Sequence, residues 1–416
     1  MAEVLIIGAG AAGLMAAIHA SGAGARVTVL EHNEKAGKKI YITGKGRCNV
    51  TNDCTQDEFM REVARNPRFL FSALDFFSPQ DMMTLLSENG CPVTVQRGRR
   101  VFPETEKASD VTRTLLDILR RCGVTLRTGV EVSALCTEDG HITGVTLRDG
   151  AFLPADRVIV ATGGKSYPST GSTGDGYRFA ISAGHTVLPA RPSLTALEKV
   201  DLWPKELQGL SLKNVTLTLK NGKKTLYTEL GEMLFTHFGI SGPLVLEASC
   251  HLPEELSSVT LTLDLKPGLD AAQLDARLRR EFEAAGKKQL RNMLPALLPA
   301  RFADLFPGLA GIPGDLNCNQ ITAPQREALV SAFKALPLQI RGPRPIEEAI
   351  VTRGGVQVKE VDPKTMQSKL ISGLYFAGEV LDVDAHTGGY NLQIAFSTGA
   401  LAGENAAKQV LENVNN

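Results

Sequence analysis

The 416-residue sequence balances 45 Lys+Arg against 45 Asp+Glu, with 43% hydrophobic and 22% charged residues. Such a chain can bury cores in two or three domains at roughly 100–200 residues each, and its zero net charge gives no general pull toward nucleic acid or an anionic membrane. Seven cysteines without a C-x-x-C pair argue against a disulfide framework or zinc site, and no run of 18 apolar residues suggests a membrane span, so a metal-free, cytoplasmic protein is expected.

The first twenty residues are apolar but lack a basic leader, carry Glu3, and contain Gly8, Gly10 and Gly13. EVLII (3–7) reads as a buried strand, LMAAIHASGAG as a helix, and RVTVLE (26–31) as a second strand: a β-α-β unit. Residues 32–55, rich in Gly, Lys and Asn, read as loop. Helical patterns follow near 57–65, 68–77, 79–89 and 109–122. VTLRTGVEVSAL and HITGVTLRDG read as strands, the latter forming a hairpin, and DRVIVATGG (156–164) is a buried strand ending in glycines. A short helix covers 174–184. From about 190 to 265 apolar and polar residues alternate, with Asn221-Gly222 as a hairpin turn signal. Residues 270–310 and 322–336 are helical. After 346 the first texture returns.

The chain therefore divides on paper into a discontinuous dinucleotide-binding domain (1–189 and 345–416), a β-barrel insert (190–268 and about 337–344) and a helical insert (269–336).

A bare G-x-G-x-x-G arises by chance in glycine-rich chains. Here it lies between a strand and a helix, with Glu31 at the end of the next strand. Gly8 permits the tight turn, Gly10 lets backbone approach a pyrophosphate, and Gly13 lets helix and strand pack. The amides through Ala11 and Ala12 face the phosphates from the helix N-terminus. Glu31 accepts from ribose hydroxyls and repels a 2′-phosphate. The chain then lacks the second half of an NAD domain, and returns only with GLYFAGEV (373–380) and a glycine-led helix from HTGGYN (386–391). This favours the longer dinucleotide FAD. Gly378 and Glu379 would hold ribitol or pyrophosphate. Amides around Gly389, Tyr390 and Asn391 would face the flavin N1/C2=O edge, where a helix N-terminus favours the reduced form.

Five blocks, GKKIYITGKGRCNVTN (37–52), ATGGKSYPSTGSTGDGY (161–177), GEMLFTHFGISGP (231–243), AIVTRGGVQVKEVDPKTMQSK (349–369) and FAGEVLDVDAHTGGYNLQIAFSTG (376–399), carry a resemblance. The chain resembles the bacterial FAD-dependent flavoproteins related to aminoacetone oxidase and the bile-acid-pathway flavin enone reductase. The resemblance spans essentially the whole chain. It implies an α/β fold: a two-dinucleotide-binding-type, Rossmann-like FAD domain with an inserted antiparallel β-barrel and an inserted helical domain. It also implies an FAD-dependent oxidoreductase moving a hydride between the flavin and a small organic substrate. Reduction of a conjugated C=C with NADH or NADPH is expected, with amine oxidation by oxygen as one alternative and an RNA-modifying or non-catalytic flavoprotein as another. No nucleic-acid or membrane partner is expected, and the protein should be a monomer or homodimer.

The loop carrying Lys39, Arg47 and Asn49 should run beside the flavin, the alternative being a solvated basic loop. In related proteins a backbone amide at the position of Val130 pairs with adenine, while Thr162 and Gly163 close a strand near the pyrophosphate. Tyr390, His237 and Tyr167 are the candidate catalytic proton donors, with His386 a further one; a histidine buried in an apolar hairpin is an equal reading of His237. Asp382 and Asp384 suit either a cationic amine or a structural role. Cys48, beside Arg47, should have a somewhat favoured thiolate, although an ordinary free cysteine is the simpler reading.

Overall fold

The computed structural model describes residues 2–199, 201 and 203–414. The chain forms two compact units, Met1–Ser193 with Pro345–Asn416, and Leu194–Arg344.

The first unit is built on a five-stranded sheet. Its strands are β1 (Glu3–Ile7), β2 (Arg26–Glu31), β6 (Thr125–Thr128), β7 (Arg157–Val160) and β9 (Leu374–Phe376), with β3, β4, β5 and β8 lying outside this sheet and placed below. The spatial order is β9-β7-β1-β2-β6 and every pairing is parallel. Parallel strands are covered on both faces, which is why EVLII and RVIV are unbroken apolar runs rather than alternating ones. Val4, Ile6, Val158, Ile159, Val160 and Phe376 are fully buried. Helix α1 (Ala11–Gly22) follows β1, α2 (Ala108–Arg121) precedes β6, and α3 (Tyr390–Val414) closes the unit.

Small residues let α1 and α3 approach closely. Ala12, Ala16 and Ala20 recur every fourth residue on α1, one face of the helix. A side chain begun at Gly399 or Gly403 would stand 2.2 Å or 2.1 Å from the carbonyl oxygens of Ala12 and Ala16. The crossing is therefore backbone against backbone.

A small antiparallel sheet, order β3-β5-β4, comprises β3 (Thr51–Asn52), β4 (Val93–Gln96) and β5 (Arg100–Pro103). A meander of 132–138, 141–147 and 152–154 turns at Asp139-Gly140, both with positive φ, as a tight two-residue hairpin requires. Strand β8 (Val351–Val356) pairs antiparallel with 187–193.

Two local readings change. Residues 32–55 are not all loop: a short helix runs Lys38–Ile42, begun by left-handed Gly37 and anchored by buried Ile40. Strand β3 is recruited by residues about fifty positions later, Val101 and Arg100, which no local pattern announces.

The second unit holds a seven-stranded antiparallel sheet, ordered 336–338, 259–264, 211–221, 224–235, 239–241, 197–199, 340–343. Asn221 pairs with Lys224, so Gly222 opens the two-residue turn in the left-handed region, with φ 56°. The two edge strands are consecutive in the chain, separated by Gln339 alone, so the sheet must curl back on itself in the manner of a barrel. Helices Ala271–Ala285, Ala300–Leu309 and Ala323–Lys334 bury Leu278, Phe302 and Phe333 in the same core as Leu217, Leu219 and Leu263 of the sheet. Sheet and helices share one interior.

Candidate functional site

The C-terminal ends of β1, β7 and β9 bring three glycine segments together. Gly8 leaves β1 with φ 101°, and a Cβ there would meet the Ala161 carbonyl oxygen at 2.6 Å. A Cβ at Gly13 would stand 1.8 Å from the Gly8 carbonyl oxygen. Protein packing thus demands both glycines. Gly10 differs: nothing lies within 4 Å of the space its Cβ would take, and it caps α1 with no side-chain acceptor. The first turn of α1 is thus left open at Gly10, where amides and the helix dipole favour an anion.

Glu31, buried at the end of β2, accepts from the Ala9 amide at 2.8 Å and from the Asn33 amide and Nδ2 at 2.9 and 2.7 Å. It fixes the glycine loop. Three donors leave one of its four acceptor positions for a hydroxyl. Val130 corrects an expectation: it lies just past β6, and its amide donates to the Glu31 carbonyl at 3.0 Å. Only its carbonyl is left for an adenine amino group.

The second half is fastened by an ion pair. Lys39 Nζ donates to Glu379 Oε2 at 2.7 Å and to Ser166 Oγ at 2.6 Å. Glu379 Oε1 accepts from the Thr352 amide at 2.7 Å and from Ser166 Oγ at 3.0 Å. Burial alone would raise the Glu379 carboxyl; the Lys39 ammonium and these donors more than reverse that, holding it below the usual carboxylate range. Thr352 Oγ1 also accepts from the Lys165 and Ser166 amides at 2.8 and 3.0 Å. Neither Ser166 nor Thr352 stood out in sequence, although both lie inside the blocks of resemblance. Gly378 has φ 77° and would meet Ala12 Cβ at 2.8 Å, so the two halves touch here.

At the head of α3, a Cβ on Gly389 would lie 2.3 Å from the Thr51 carbonyl oxygen, which places β3 against this turn. Asn391 is spent locally: its Nδ2 donates to the Ala385 carbonyl at 2.7 Å and its Oδ1 accepts from the Ala385 amide at 3.0 Å. Tyr390 is buried, its ring edge-on to Phe59 at 5.1 Å.

Other expected residues are placed elsewhere or held differently. The Arg47 guanidinium pairs with Glu106, donates to Gln96 Oε1 at 2.7 Å and lies 4.3 Å over Phe102, so it braces the loop instead of reaching for phosphate. Cys48 is fully buried, and burial pushes its thiol up to about 12, overriding the expected help from Arg47. Asp382 pairs with Arg65 at 2.6 Å. Asp384 accepts from Ser193 Oγ at 2.7 Å, and burial pushes its carboxyl above the usual range. Both bind the 64–66 segment, as structural residues do. His386 Nδ1 lies 3.0 Å from Glu62 Oε2. Tyr167 is half-buried with φ 51°. His237 belongs to the second unit and is exposed in the turn after 224–235, its ring edge-on to Phe238, so the buried-histidine reading fails.

The residues present fit a dinucleotide flavin. Open space stands at Gly10, and the buried polar atoms without a hydrogen-bond partner include Asn49 Oδ1, Thr51 Oγ1, in the residue whose backbone packs on Gly389, and Thr162 Oγ1, which faces Gly176.

Comparison with known proteins decides the family. Residues 2–405 match the HI0933-like protein Rossmann domain. The chain belongs to this HI0933-like family, which comprises FAD-dependent oxidoreductases. Among its relatives is the 3-dehydro-bile acid delta(4,6)-reductase of Clostridium scindens, 35% identical over 98% of this chain and 100% of that one. The ribosomal RNA dihydrouridine synthases of Escherichia coli and Haemophilus influenzae are 33% and 34% identical, each over 95% of this chain and 96% of its own. Solved structures share the fold: the fumarate reductase subunit FrdA of E. coli with TM-score 0.54 at 17% identity, covering 99% of this chain and 71% of that one. The 3-ketosteroid-delta4-(5alpha)-dehydrogenase of Rhodococcus jostii has TM-score 0.52 at 16% identity, covering 98% and 97%. This HI0933-like chain is thus a Rossmann-type flavoenzyme, and among its described residues no helix is long and apolar enough to cross a membrane and no acidic, histidine or cysteine group could hold a metal.

Proposed function

We propose that this protein reduces a carbon–carbon double bond conjugated to a carbonyl group, with NADH or NADPH as the electron source. One observation carries the reading. Full-length relatives with unlike substrates in their names, a bile acid and ribosomal RNA, are named for the same kind of chemistry, a delta(4,6)-reductase and a dihydrouridine synthase.

FAD, when bound, supplies the two-electron hydride chemistry. The chain's own residues do the rest. Gly10, Ala11, Ala12 and Gly13 receive the pyrophosphate with backbone amides, Gly8, whose own amide donates to the Leu30 carbonyl at 2.8 Å, makes the turn, and Thr162 and Gly163 close it. Glu31 offers its remaining acceptor position to ribose, and the Val130 carbonyl offers one to adenine. Lys39, locked to Glu379 and Ser166, sets a neutralised pair beside Gly378. The amides at Gly389–Asn391 favour negative charge at the head of α3. Asn49 offers its unpartnered Oδ1. A reduction of this type needs a proton at the α-carbon, and within the first unit Tyr390 and Tyr167 are the candidates to hold it.

The two dihydrouridine synthases favour a second reading, in which the double bond belongs to a uridine in ribosomal RNA. An anaerobic absorbance titration of the FAD-loaded protein tests both. NADH or NADPH should bleach the visible flavin band, and a 3-oxo-Δ4 steroid or a uridine-containing RNA should restore it. Bleaching by aminoacetone with rapid return in air would show an amine oxidase instead.

A further inference from the structure

The turn Arg97–Arg100, which joins β4 to β5, holds three arginines in four residues. Its backbone is unusual: Gly98 and Arg99 both have positive φ, 74° and 56°. A bulky residue in the left-handed region persists only where its surroundings impose it. Here they do. Arg99 pairs with Glu58 at 2.6 Å, and its carbonyl accepts from the Asp53 amide at 2.8 Å.

Buried Asn52 carries the decisive contact. Its Nδ2 donates both to the Gly98 carbonyl, at 3.0 Å, and to the Gly388 carbonyl, at 3.2 Å. Asn52 is also the ladder partner of Arg100. The arginine turn is thereby tied, through one side chain and one strand spacing of about 5 Å, to the residue that opens the head of α3.

The charges around it are unequally used. Glu58 is taken by Arg99 and Glu106 by Arg47, while Asp53 accepts from Gln80 at 3.1 Å. Among the described residues no carboxylate lies within ion-pair distance of Arg97 or Arg100, and both are exposed. A merely solvated basic face would not need its backbone pinned by a buried amide to the candidate flavin site.

The geometry points to Arg97 and Arg100 as the residues that select a substrate bearing an anionic group, a carboxylate or a phosphate, remote from the double bond being reduced. The guanidinium fork matches both groups in bidentate fashion. The inference rests on the reading of the flavin site and of double-bond reduction given above.

The test reads binding rather than turnover. FAD-loaded protein is titrated, following the perturbation of the flavin absorbance, with two pairs of probes: a 3-oxo-Δ4 steroid carboxylate against its methyl ester, and uridine 5′-monophosphate against uridine. In at least one pair the anionic member should bind about tenfold more tightly, and the pair that discriminates identifies carboxylate or phosphate. The double variant Arg97→Gln/Arg100→Gln should remove that preference while retaining FAD. If the double variant loses FAD, Arg97→Gln alone, outside the β3–β5 ladder, should still cut the preference. Equal binding within both pairs, binding of no probe, or a preference that survives the substitutions would overturn the inference. Tight, arginine-dependent binding of a probe that is never reduced would instead sink the double-bond reading and leave the anion selector standing.

Discussion

Lys39 and Glu379 stand 340 residues apart in sequence and share a hydrogen-bonded ion pair. Removing the cation with Lys39→Met leaves a partly buried carboxylate without its partner. FAD affinity should fall at least tenfold, about 1.5–3 kcal/mol, read as the dissociation constant by flavin fluorescence. The Glu379 carboxyl is held below its ordinary value, so its stabilising contribution is present above the ordinary carboxylate range and fades as acid reaches the lowered value. Glu379→Gln should flatten that acid limb in a melting-temperature profile. Lys199 in the second unit behaves in the opposite sense. Burial pushes its ammonium down to about 8, despite Asp201 at 3.4 Å and the Trp203 face at 4.3 Å. Between that value and the ordinary lysine range the unfolded chain binds more protons than the folded one, so stability should rise with pH across this window. Lys199→Met should abolish the slope in denaturant titrations at stepped pH. No change of slope would mean that the amine is already solvated in the folded state.

Among the elements, the crossing of α1 and α3 matters most to the site, because Gly378 and Gly399 both lie against Ala12 at the start of α1. Gly399→Val drives a branched side chain into a backbone oxygen that cannot turn aside. It should cost about 3 kcal/mol or more and lower FAD retention with it. Gly22→Ala, at the far end of α1 with nothing within 4 Å, should cost nothing; comparable losses for the two in thermal unfolding would refute the close crossing. What the sequence made legible follows the same division. Strand β1, the glycine turn and α1 are contiguous, so spacing alone betrays them, as do the apolar runs of β7 and β9. The partners of Arg47, the amide of Val130 and the bracing roles of Ser166, Thr352 and Asn52 are set by residues distant in sequence. No local period encodes them. The four-residue recurrence of Ala12, Ala16 and Ala20 opposite Gly399 and Gly403 is a signal for close helix packing that the sequence carries in plain view.

At the level of the whole molecule, two hydrophobic cores lie in two units, and every residue proposed to cradle FAD lies in the first. Calorimetry with added FAD should therefore raise the transition of the first unit, by about 2.7 kcal/mol at a hundred times the dissociation constant, and leave that of the second in place. A shift of both by equal amounts would show that they unfold together. The first unit is also interrupted: strand β9 and helix α3 join a sheet and a helix whose other members precede residue 161, after the entire second unit has intervened. A ribosome adding about 5–20 residues per second presents the glycine turn on the order of tens of seconds before it presents Gly378 and the head of α3. During that interval β7 has an unpaired edge and the Ala-rich face of α1 has no helix to meet. On the proposed cradle, cofactor loading should then be a late event in the life of each chain, with a defined edge for a nascent-chain chaperone to shield until then.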